Sequence, residues 1–408
     1  MVEKGSVILK HKPEDFIVEE VWDNYICIVS DNVDLLKDSK VNLGKFDIDD
    51  RRAFLTFELE KLNLDHFNVL SVLSKKLHNY SHEIGYAGTK DKNAWTCQKI
   101  SIYNAKIDLI KNFSHPGILL KNFKWAKHKI KIGDLSGNNF KIVLRDADKD
   151  AIKVLNKAKN TRLMPNFFGN QRFGSLRNDN VSIAKLIFQQ KYEEAVFKFL
   201  IGYGEDENME VKNAKIRLKK DKNIQAAKNY FPPVLKKENM IINYLINNDD
   251  NWVGALNVID QKSLLIVCQS LQSKLFNEIL QRIIDEKIKL DDNVSLPMLG
   301  YDSAFSLGRI GEIEKEVLRN NGLNLKDFKN IKLPNLGLRS SKRKAFFIVK
   351  WIDMEIMEDE LFDKGKKIIL TFQLDSGSYA TTLLDQFFIC RELHLNKTSH
   401  LRDKTKEA

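Results

Sequence analysis

One aspartate in this sequence, Asp91, lies between two lysines, Lys90 and Lys92, in a short stretch that also contains Gly85 and Gly88. Glycines permit tight and left-handed backbone conformations, and Thr-Lys-Asp-Lys-Asn is a turn-forming sequence, so we expect Asp91 on a loop. The flanking ammonium groups favour an ionised carboxylate, and they could also contact the phosphates of a nucleic acid. The stretch therefore predicts either a reactive acid beside an anionic substrate or an ordinary solvated turn.

Two further loops, residues 137–140 and 166–174, combine glycine with aromatic, amide and cationic side chains. Aromatic rings stack on unpaired bases, amides hydrogen-bond base edges, and lysine or arginine holds phosphates, so these loops suit single-stranded or splayed-out RNA. Taken alone, Phe168 and Phe173 are more typical of a hydrophobic core, and Asn138 is more typical of a turn.

Several common sites are not indicated. The sequence has no Walker A loop, no dinucleotide-binding Gly-x-Gly-x-x-Gly and no Gly-x-Ser-x-Gly elbow. His78 and His82 have the spacing of a helical zinc pair, but residues 79–81 predict a helix end between them, and no third ligand is evident. The four cysteines are widely separated, which predicts reduced thiols and neither a zinc ribbon nor a disulfide framework: Cys27, Cys97, Cys268 and Cys390.

Composition indicates a protein of two or three domains with a polyanionic partner. The chain has 408 residues, and its 66 Lys and Arg exceed its 55 Asp and Glu by 11. This balance favours nucleic acid, although a lysine-rich solvated surface would give the same charge. No stretch has the length and apolarity of a signal peptide or a membrane span, so we expect a cytoplasmic protein with no membrane partner.

The first part of the chain predicts strands and one helix that could position Asp91. Alternating apolar residues predict strands at 16–21 and 54–59. Residues 65–77 predict a helix with Asp65 as its N-cap and with Phe67 on its apolar face.

The later part predicts one domain interrupted by another. Residues 130–145 predict a strand, a turn at 136–139 and a second strand, and an amphipathic helix follows at 148–159. Residues 180–331 are mainly helical, and strand patterns return after residue 345. Two strand-rich ends around a helical middle indicate an inserted domain.

Four segments, in their order and spacing, resemble the TruD family of tRNA pseudouridine synthases. They are residues 12–20, 87–98, 137–140 and 166–174, and Gly-Ser-Tyr-Ala-Thr at 377–381 matches the family's closing motif. The conjunction of five motifs is far more specific than any one of them.

The resemblance implies an α+β fold. A pseudouridine synthase catalytic domain, built on a mixed and largely antiparallel sheet with helices, would be interrupted by a mainly helical TRUD insertion domain. We place the catalytic domain at residues 1–178 and 340–408 and the insertion domain at 179–339.

The resemblance also implies an isomerase that converts one uridine of tRNA, around position thirteen in the D-arm, to pseudouridine without a cofactor or a metal. The family's essential aspartate falls on Asp91, and its base-pocket residues fall on Asn138 and Phe140. The uridine must be flipped out of its stack, so we expect Phe140 to receive the base and Asn138 to hydrogen-bond near it or to orient Asp91. Asp91 could attack the sugar or remove a ribose proton.

Further residues are expected to assist. We expect Lys90, Lys92 and Arg172 to contact phosphates or to pair with the Asp91 carboxylate, and Glu20 to contribute to the pocket. We also expect a monomer. A non-catalytic tRNA-binding protein or RNA chaperone with the same fold is the alternative. An aspartate-nucleophile phosphohydrolase is a third possibility, but the usual acidic cluster for Mg²⁺ is not evident.

Overall fold

The computed structural model describes residues 4–37, 41, 43, 53–159, 161–174, 179–204, 207–329, 332–363 and 365–391. The chain divides into two compact units: unit 1 contains Met1–Met164 and Phe347–Ala408, and unit 2 contains Pro165–Phe346. These boundaries lie outside the predicted domain boundaries at 178/179 and 339/340, because the segments near them pack within unit 2. The Phe168 N–H donates to Asn277 Oδ1 (2.8 Å), and Asn166 Nδ2 donates to the Lys344 carbonyl (3.0 Å).

Strands are concentrated towards the two ends of the chain. In chain order they are β1 (Gly5–Ile8), β2 (Phe16–Trp22), β3 (Tyr25–Ile26), β4 (Phe54–Leu62), β5 (Ile84–Tyr86), β6 (Trp95–Tyr103), β7 (Ile118–Ala126), β8 (Gly137–Ala147), β9 (Leu163–Pro165), β10 (Ser295–Met298), β11 (Ser341–Lys344), β12 (Phe346–Glu358), β13 (Lys366–Asp375) and β14 (Phe388–Arg391).

Helices dominate the middle of the chain, as the sequence predicts. In chain order they are α1 (His66–Leu77), α2 (Ile107–Lys111), α3 (Lys149–Ala158), α4 (Asn180–Phe188), α5 (Tyr192–Ile201), α6 (Met209–Asp221), α7 (Ile224–Ala227), α8 (Lys236–Asn247), α9 (Trp252–Asn257), α10 (Gln261–Asp285), α11 (Gly308–Asn320) and α12 (Ala380–Phe387). The described helices include none that is long and apolar enough to cross a membrane.

The large sheet has the strand order β7-β4-β6-β2-β8-β13-β12-β9. Pairing is antiparallel for β4 with β7 and β6, for β8 with β2 and β13, and for β12 with β13, whereas β2 and β6 are parallel. β1 pairs in parallel with β14 and touches β8. The predicted mixed, largely antiparallel sheet is confirmed.

Helix α1 follows the sequence prediction closely in its limits but not in its buried face. Asp65 caps it, since the Asp65 carboxylate accepts a hydrogen bond from the Asn68 N–H (3.0 Å). The core face carries Val69 and Leu73, together with the polar residue His66. Phe67 was expected on this face, but it is 62% exposed because the helix is rotated to bury His66 instead.

The prediction for residues 130–145 is half wrong. The segment before Gly137 is not a strand, and residues 137–139, which were expected in a turn, open strand β8. These residues pair on both sides, with β2 and with β13, so two ladders of backbone hydrogen bonds override the local turn preference of Gly-Asn-Asn. The helix predicted after β8 is confirmed as α3, with the Asp148 carboxylate accepting from the Ala151 N–H (2.7 Å).

Candidate active site

Asp91 lies on a loop of residues 87–94, called here the Asp91 loop, which connects β5 to β6. The predicted loop is confirmed. Inside it, the Ala94 N–H donates to the Lys92 carbonyl (3.0 Å), and this tight turn leads the chain into β6. The Asp91 side chain is 47% exposed, so its carboxylate is accessible to a substrate.

The cation beside the Asp91 carboxylate is Lys10, which sequence reasoning missed. Lys10 Nζ lies 2.8 Å from Asp91 Oδ2 and 4.2 Å from the centroid of the Phe16 ring. The Lys10 backbone has a left-handed conformation (φ 56°), which is uncommon for a residue other than glycine. Its carbonyl accepts a hydrogen bond from Asn93 Nδ2 (3.2 Å). Lys10 therefore contacts the Asp91 loop through both its side chain and its backbone.

Buried charges hold the turn at Pro13–Asp15 that leads from Lys10 into β2. Arg145 donates from Nε and Nη2 to the two Asp15 oxygens, at 2.8 and 2.7 Å, and pairs through Nη1 with Asp359 (2.9 Å). A bidentate guanidinium–carboxylate pair restricts orientation as well as distance. The start of β2 is thus fixed relative to β8, which carries Arg145.

A second lysine that sequence reasoning missed, Lys61, holds the backbone of Asp91. Its Nζ donates to the Asp91 carbonyl (2.5 Å) and to the Leu64 carbonyl (3.0 Å). The Lys61 side chain is fully buried near the end of β4. Burial disfavours the charged amine and lowers the pKa of Lys61 to about 8, although the nearby Asp91 charge acts in the opposite direction.

Lys90 and Glu20, two of the predicted site residues, pair with each other. Lys90 Nζ lies 2.6 Å from Glu20 Oε1, and both side chains are buried. Glu20 Oε2 accepts from the Lys99 N–H (3.0 Å) and from Trp22 Nε1 (3.3 Å). The structure therefore corrects the expected role of Lys90: its ammonium is buried and bound to Glu20, and the carboxylate partner next to Asp91 is Lys10.

Strand register places the two predicted base-pocket residues on the same sheet face as Glu20. Asn138 is opposite Glu20, and Phe140 is opposite Val18, in the β2–β8 ladder. Paired residues, and residues two apart on a strand, point to the same side of a sheet. Lys90 reaches this face from the Asp91 loop, so Glu20, Lys90, Asn138 and Phe140 belong to one connected region.

Phe140 is part of an aromatic cluster. Its ring stacks on Phe372 of β13 (centroids 5.3 Å apart, interplanar angle 22°) and meets Phe16 edge-on (6.3 Å). Only 6% of Phe140 is exposed, so its ring is part of the packed cluster in this structure. Phe16 and Phe372 were not predicted for the site, and only the register of three strands reveals them.

Two buried polar atoms on this face have no hydrogen-bond partner among the described residues: Thr96 Oγ1 and Asn138 Oδ1. Thr96 is opposite Val18 in the parallel β2–β6 pair, so it shares the face of Phe140 and Asn138. Buried polar atoms without partners cost free energy, and they are candidates to bind a polar ligand. The side-chain oxygen of Asn138, Oδ1, is therefore suited to hydrogen-bond a base edge.

Lys92 and Arg172 are the remaining predicted site residues. Lys92 is exposed on the Asp91 loop. Arg172 belongs to unit 2, where it donates to Ser273 Oγ and to Gln269 Oε1 (3.1 Å each). Asn139, for which no role was predicted, donates from Nδ2 to Glu19 Oε2 (2.8 Å).

No metal site is apparent in the part of the chain that the structure describes, where no group of three or more His, Cys, Asp or Glu side chains could hold an ion. Helix α1 ends at Leu77, and His78 follows in a left-handed conformation (φ 54°) that ends the helix. The sequence predicts a helix end between His78 and His82. His78 and His82 therefore do not occupy one helical face.

The arrangement presents a single accessible carboxylate, and Lys10 connects it to a buried aromatic cluster through the Phe16 ring. Lys10 fixes one Asp91 oxygen, while the exposed part of the carboxylate remains available to act as a nucleophile or as a base. The adjacent aromatic cluster and the unpaired Asn138 oxygen suit a planar, polar-edged ligand such as a nucleobase.

Comparison with known proteins finds similarity to one family along the chain. A family model described as "tRNA pseudouridine synthase D (TruD)" matches residues 3–295 and 291–387.

Individual relatives cover nearly the whole chain. A Methanosarcina mazei protein named "Probable tRNA pseudouridine synthase D" is 28% identical over 436 residues, which cover 95% of this chain and 94% of that protein. A protein of the same name from Sulfurisphaera tokodaii is 32% identical over 334 residues, with coverage of 81% and 84%. The crystal structure of a Methanosarcina mazei protein described as a "Putative tRNA pseudouridine synthase D (TruD)" superposes with a TM-score of 0.77 at 27% identity, covering 95% of this chain and 94% of that one.

Proposed function

Because the chain belongs to the TruD family of tRNA pseudouridine synthases, we propose that it isomerises the uridine around position thirteen, in the D-arm of tRNA, with Asp91 as the catalytic carboxylate. The enzyme is an isomerase, and its substrate is a tRNA. The single observation that carries the proposal for Asp91 is its geometry: a half-exposed carboxylate on an anchored loop, 2.8 Å from Lys10 Nζ.

The reaction suits one carboxylate. It breaks the glycosidic bond between N1 and C1′ of the uridine, turns the uracil within the site and joins C5 to C1′, while C5 loses a proton and N1 gains one. Asp91 can attack C1′ as a nucleophile, or it can act as a base on a ribose proton. Both routes need the carboxylate at a fixed position, and the contacts from Lys10 to the side chain and from Lys61 to the backbone restrict that position.

We propose that the flipped uracil binds against the edge of the cluster formed by Phe140, Phe16 and Phe372, with Asn138 Oδ1 accepting a hydrogen bond from a base N–H. Glu20 contributes indirectly, because it anchors Lys90 and thereby one side of the Asp91 loop. We further propose that Lys92 and Arg172 contact the RNA backbone.

We propose that unit 1 is the pseudouridine synthase catalytic domain and that unit 2 is the TRUD insertion domain. Lys10 and Lys61, which contact Asp91, both belong to unit 1. The aromatic cluster of the site also belongs to unit 1 and combines chain from before and after the insertion: Phe16 and Phe140 before it, Phe372 after it. The core of unit 2 is built mainly from helices α4–α11.

The proposal is tested by the Asp91→Asn variant. We expect tRNA binding within about threefold of wild type and no pseudouridine, as measured by nucleoside mass spectrometry and by carbodiimide-primer extension across the D-arm. Asp108→Asn, an exposed aspartate on α2, is the matched control and should keep full activity. Full activity of Asp91→Asn would overturn the catalytic role, and binding without any product from wild-type enzyme would favour the RNA-chaperone alternative.

We also propose that the reaction needs neither a cofactor nor a metal. Addition of EDTA to purified enzyme and transcribed tRNA should leave the initial rate unchanged once the tRNA has been folded. Loss of activity that Mg²⁺ or Zn²⁺ restores at the enzyme, and not at the RNA, would contradict this.

A further inference from the structure

Lys61 is a lysine whose side chain is buried in the protein, which is unusual for a charged residue. It lies opposite Thr96 in the β4–β6 ladder, on the sheet face that the Asp91 loop covers, and its side chain is fully buried. Its Nζ makes two contacts, and they join two separate segments: the Asp91 loop, through the Asp91 carbonyl, and the connection between β4 and α1, through the Leu64 carbonyl.

The surroundings of Lys61 do little to compensate its charge. Among the described residues, no carboxylate oxygen lies within ion-pair distance of Lys61 Nζ. The charged groups that face it are, on the Asp91 loop, Asp91 and Lys90; before α1, Asp65; and on the segment before β2, Lys10. His66 at the start of α1 is titratable, but burial lowers its pKa to about 4, so it adds no charge at neutral pH. The two carboxylates favour the ammonium and the two lysines oppose it, so burial dominates. Such a site is costly for stability and needs another explanation.

The contacts of the Asp91 loop explain why a lysine is buried at position 61. Three side chains of the same sheet face contact the loop: Gln98 Nε2 donates to the Gly88 carbonyl (3.2 Å), Glu20 accepts from Lys90 Nζ (2.6 Å), and Lys61 donates to the Asp91 carbonyl (2.5 Å). Of these three contacts, only the one from Lys61 acts on the residue that carries the carboxylate. It binds the backbone, so it fixes the position of Cα without occupying the carboxylate oxygens.

We propose that Lys61 is a positioning residue for the isomerisation. It holds the Asp91 backbone in the position from which the carboxylate reaches the ribose of the flipped uridine. This inference rests on the proposed catalytic role of Asp91. A displacement of about 1 Å in a reacting group can cost about a hundredfold in rate, so a single buried hydrogen bond to the main chain is enough to matter.

The test is the Lys61→Met variant, which keeps an unbranched side chain one atom shorter than that of lysine and removes the donor. At saturating tRNA we expect the single-turnover rate to fall roughly 30- to 100-fold, while the Kd for tRNA changes less than about twofold. Hydrogen–deuterium exchange of the amides at residues 88–93 should accelerate. The thermal midpoint should not fall, because the variant also removes a buried charge.

Lys121→Met is the matched control. Lys121 lies on β7 of the same sheet, donates to the Ile28 carbonyl (2.7 Å) and pairs with Glu60 (2.6 Å), but it makes no contact with the Asp91 loop in the described structure. It should lower the thermal midpoint and leave the rate and the exchange of residues 88–93 unchanged. Lys61→Gln, which keeps a neutral donor on a shorter chain, provides a second variant and should have an intermediate rate.

The outcomes separate this inference from the proposed function. If Asp91→Asn is inactive while Lys61→Met and Lys61→Gln keep wild-type rates and loop exchange, the role of Lys61 is overturned and that of Asp91 stands. If Asp91→Asn is fully active, the proposed function fails, whatever Lys61 does to the loop. A loss of rate in Lys61→Met that merely parallels a fall in its thermal midpoint, as in Lys121→Met, also overturns positioning.

Discussion

Lys90 Nζ lies 2.6 Å from Glu20 Oε1, and both side chains are buried, whereas the next residue in the chain, Asp91, has a side chain that is 47% exposed. Adjacent residues thus point in different directions: one ammonium faces the sheet as an anchor, and one carboxylate faces solvent. The Asp91 loop is held by its neighbours and leaves its acid available.

The buried ion pair between Glu20 and Lys90 predicts that their contributions to the free energy of unfolding are strongly coupled. Removing one partner of a buried pair leaves the other charge unpaired, so Glu20→Gln and Lys90→Met should each lower the free energy of unfolding by about 3 kcal/mol. The double variant should be less destabilised than the sum of the two. Urea unfolding of all four proteins gives the coupling energy, and additive effects would contradict a direct buried pair.

Lys10 should matter for rate and little for stability. Its partner carboxylate is half exposed, and such pairs contribute roughly 0 to 1 kcal/mol to folding. Lys10→Met leaves Asp91 without its fixed cation, so the single-turnover rate at saturating tRNA should fall roughly 10- to 100-fold. Lys12→Met, an exposed neighbour, is the control and should retain the wild-type rate. Equal rates for both variants would show that Asp91 does not depend on Lys10.

The lowered pKa of Lys61 predicts a pH dependence of stability. Between the folded pKa of about 8 and the ordinary value of 10.5, the unfolded chain binds more protons than the folded chain, so stability rises with pH across this window. Below pH 8 the full cost of burying the charge is present, on the order of 3 kcal/mol.

The pH dependence that is due to Lys61 can be measured by comparing wild type with the Lys61→Met variant. The free energy of unfolding of wild type minus that of Lys61→Met should increase as the pH rises from 8 towards 10, because groups that both proteins share cancel. Urea unfolding at several pH values measures it. A difference that stays flat would mean that Lys61 is not desolvated in the folded protein.

Lys92 should act through RNA phosphates if the proposal for it holds. It is exposed, so Lys92→Ala should weaken tRNA binding and reduce the slope of log K against log salt by about 1, without altering which uridine is modified. Lys106→Ala, an exposed lysine before α2, tests whether any surface lysine has the same effect. An unchanged slope for Lys92→Ala would exclude the phosphate contact.

Local patterns predicted the elements but not the contacts between them. The apolar repeat and the Asp65 cap located α1 to the residue, yet they did not predict that His66 rather than Phe67 would be buried, because the helix period fits either rotation when a polar residue occupies a core position. Likewise Gly137 to Asn139 has turn chemistry, and only its two partner strands make it extended.

The same limit applies to the site. Asp91 could be selected from its own neighbours and from the resemblance to one family. Its two cationic contacts could not, because Lys10 is 81 residues away from Asp91 in the sequence and Lys61 is 30 away. Lys90 and Lys92 look equivalent on either side of Asp91, and only the buried position of Glu20 on β2 gives one of them a partner inside the protein.

The strand order of unit 1 has a consequence for biosynthesis. Strand β8 pairs with β13, and β1 pairs with β14, but β13 and β14 are translated only after all of unit 2, which is one continuous stretch of chain. Unit 2 can therefore fold on the ribosome before β13 has been translated, while the edge of β8 that pairs with β13 is still unpaired. Leu9, next to Lys10, donates its N–H to the carbonyl of Arg391 (2.9 Å), so the segment that supports Asp91 gains this contact only after β14 has been translated.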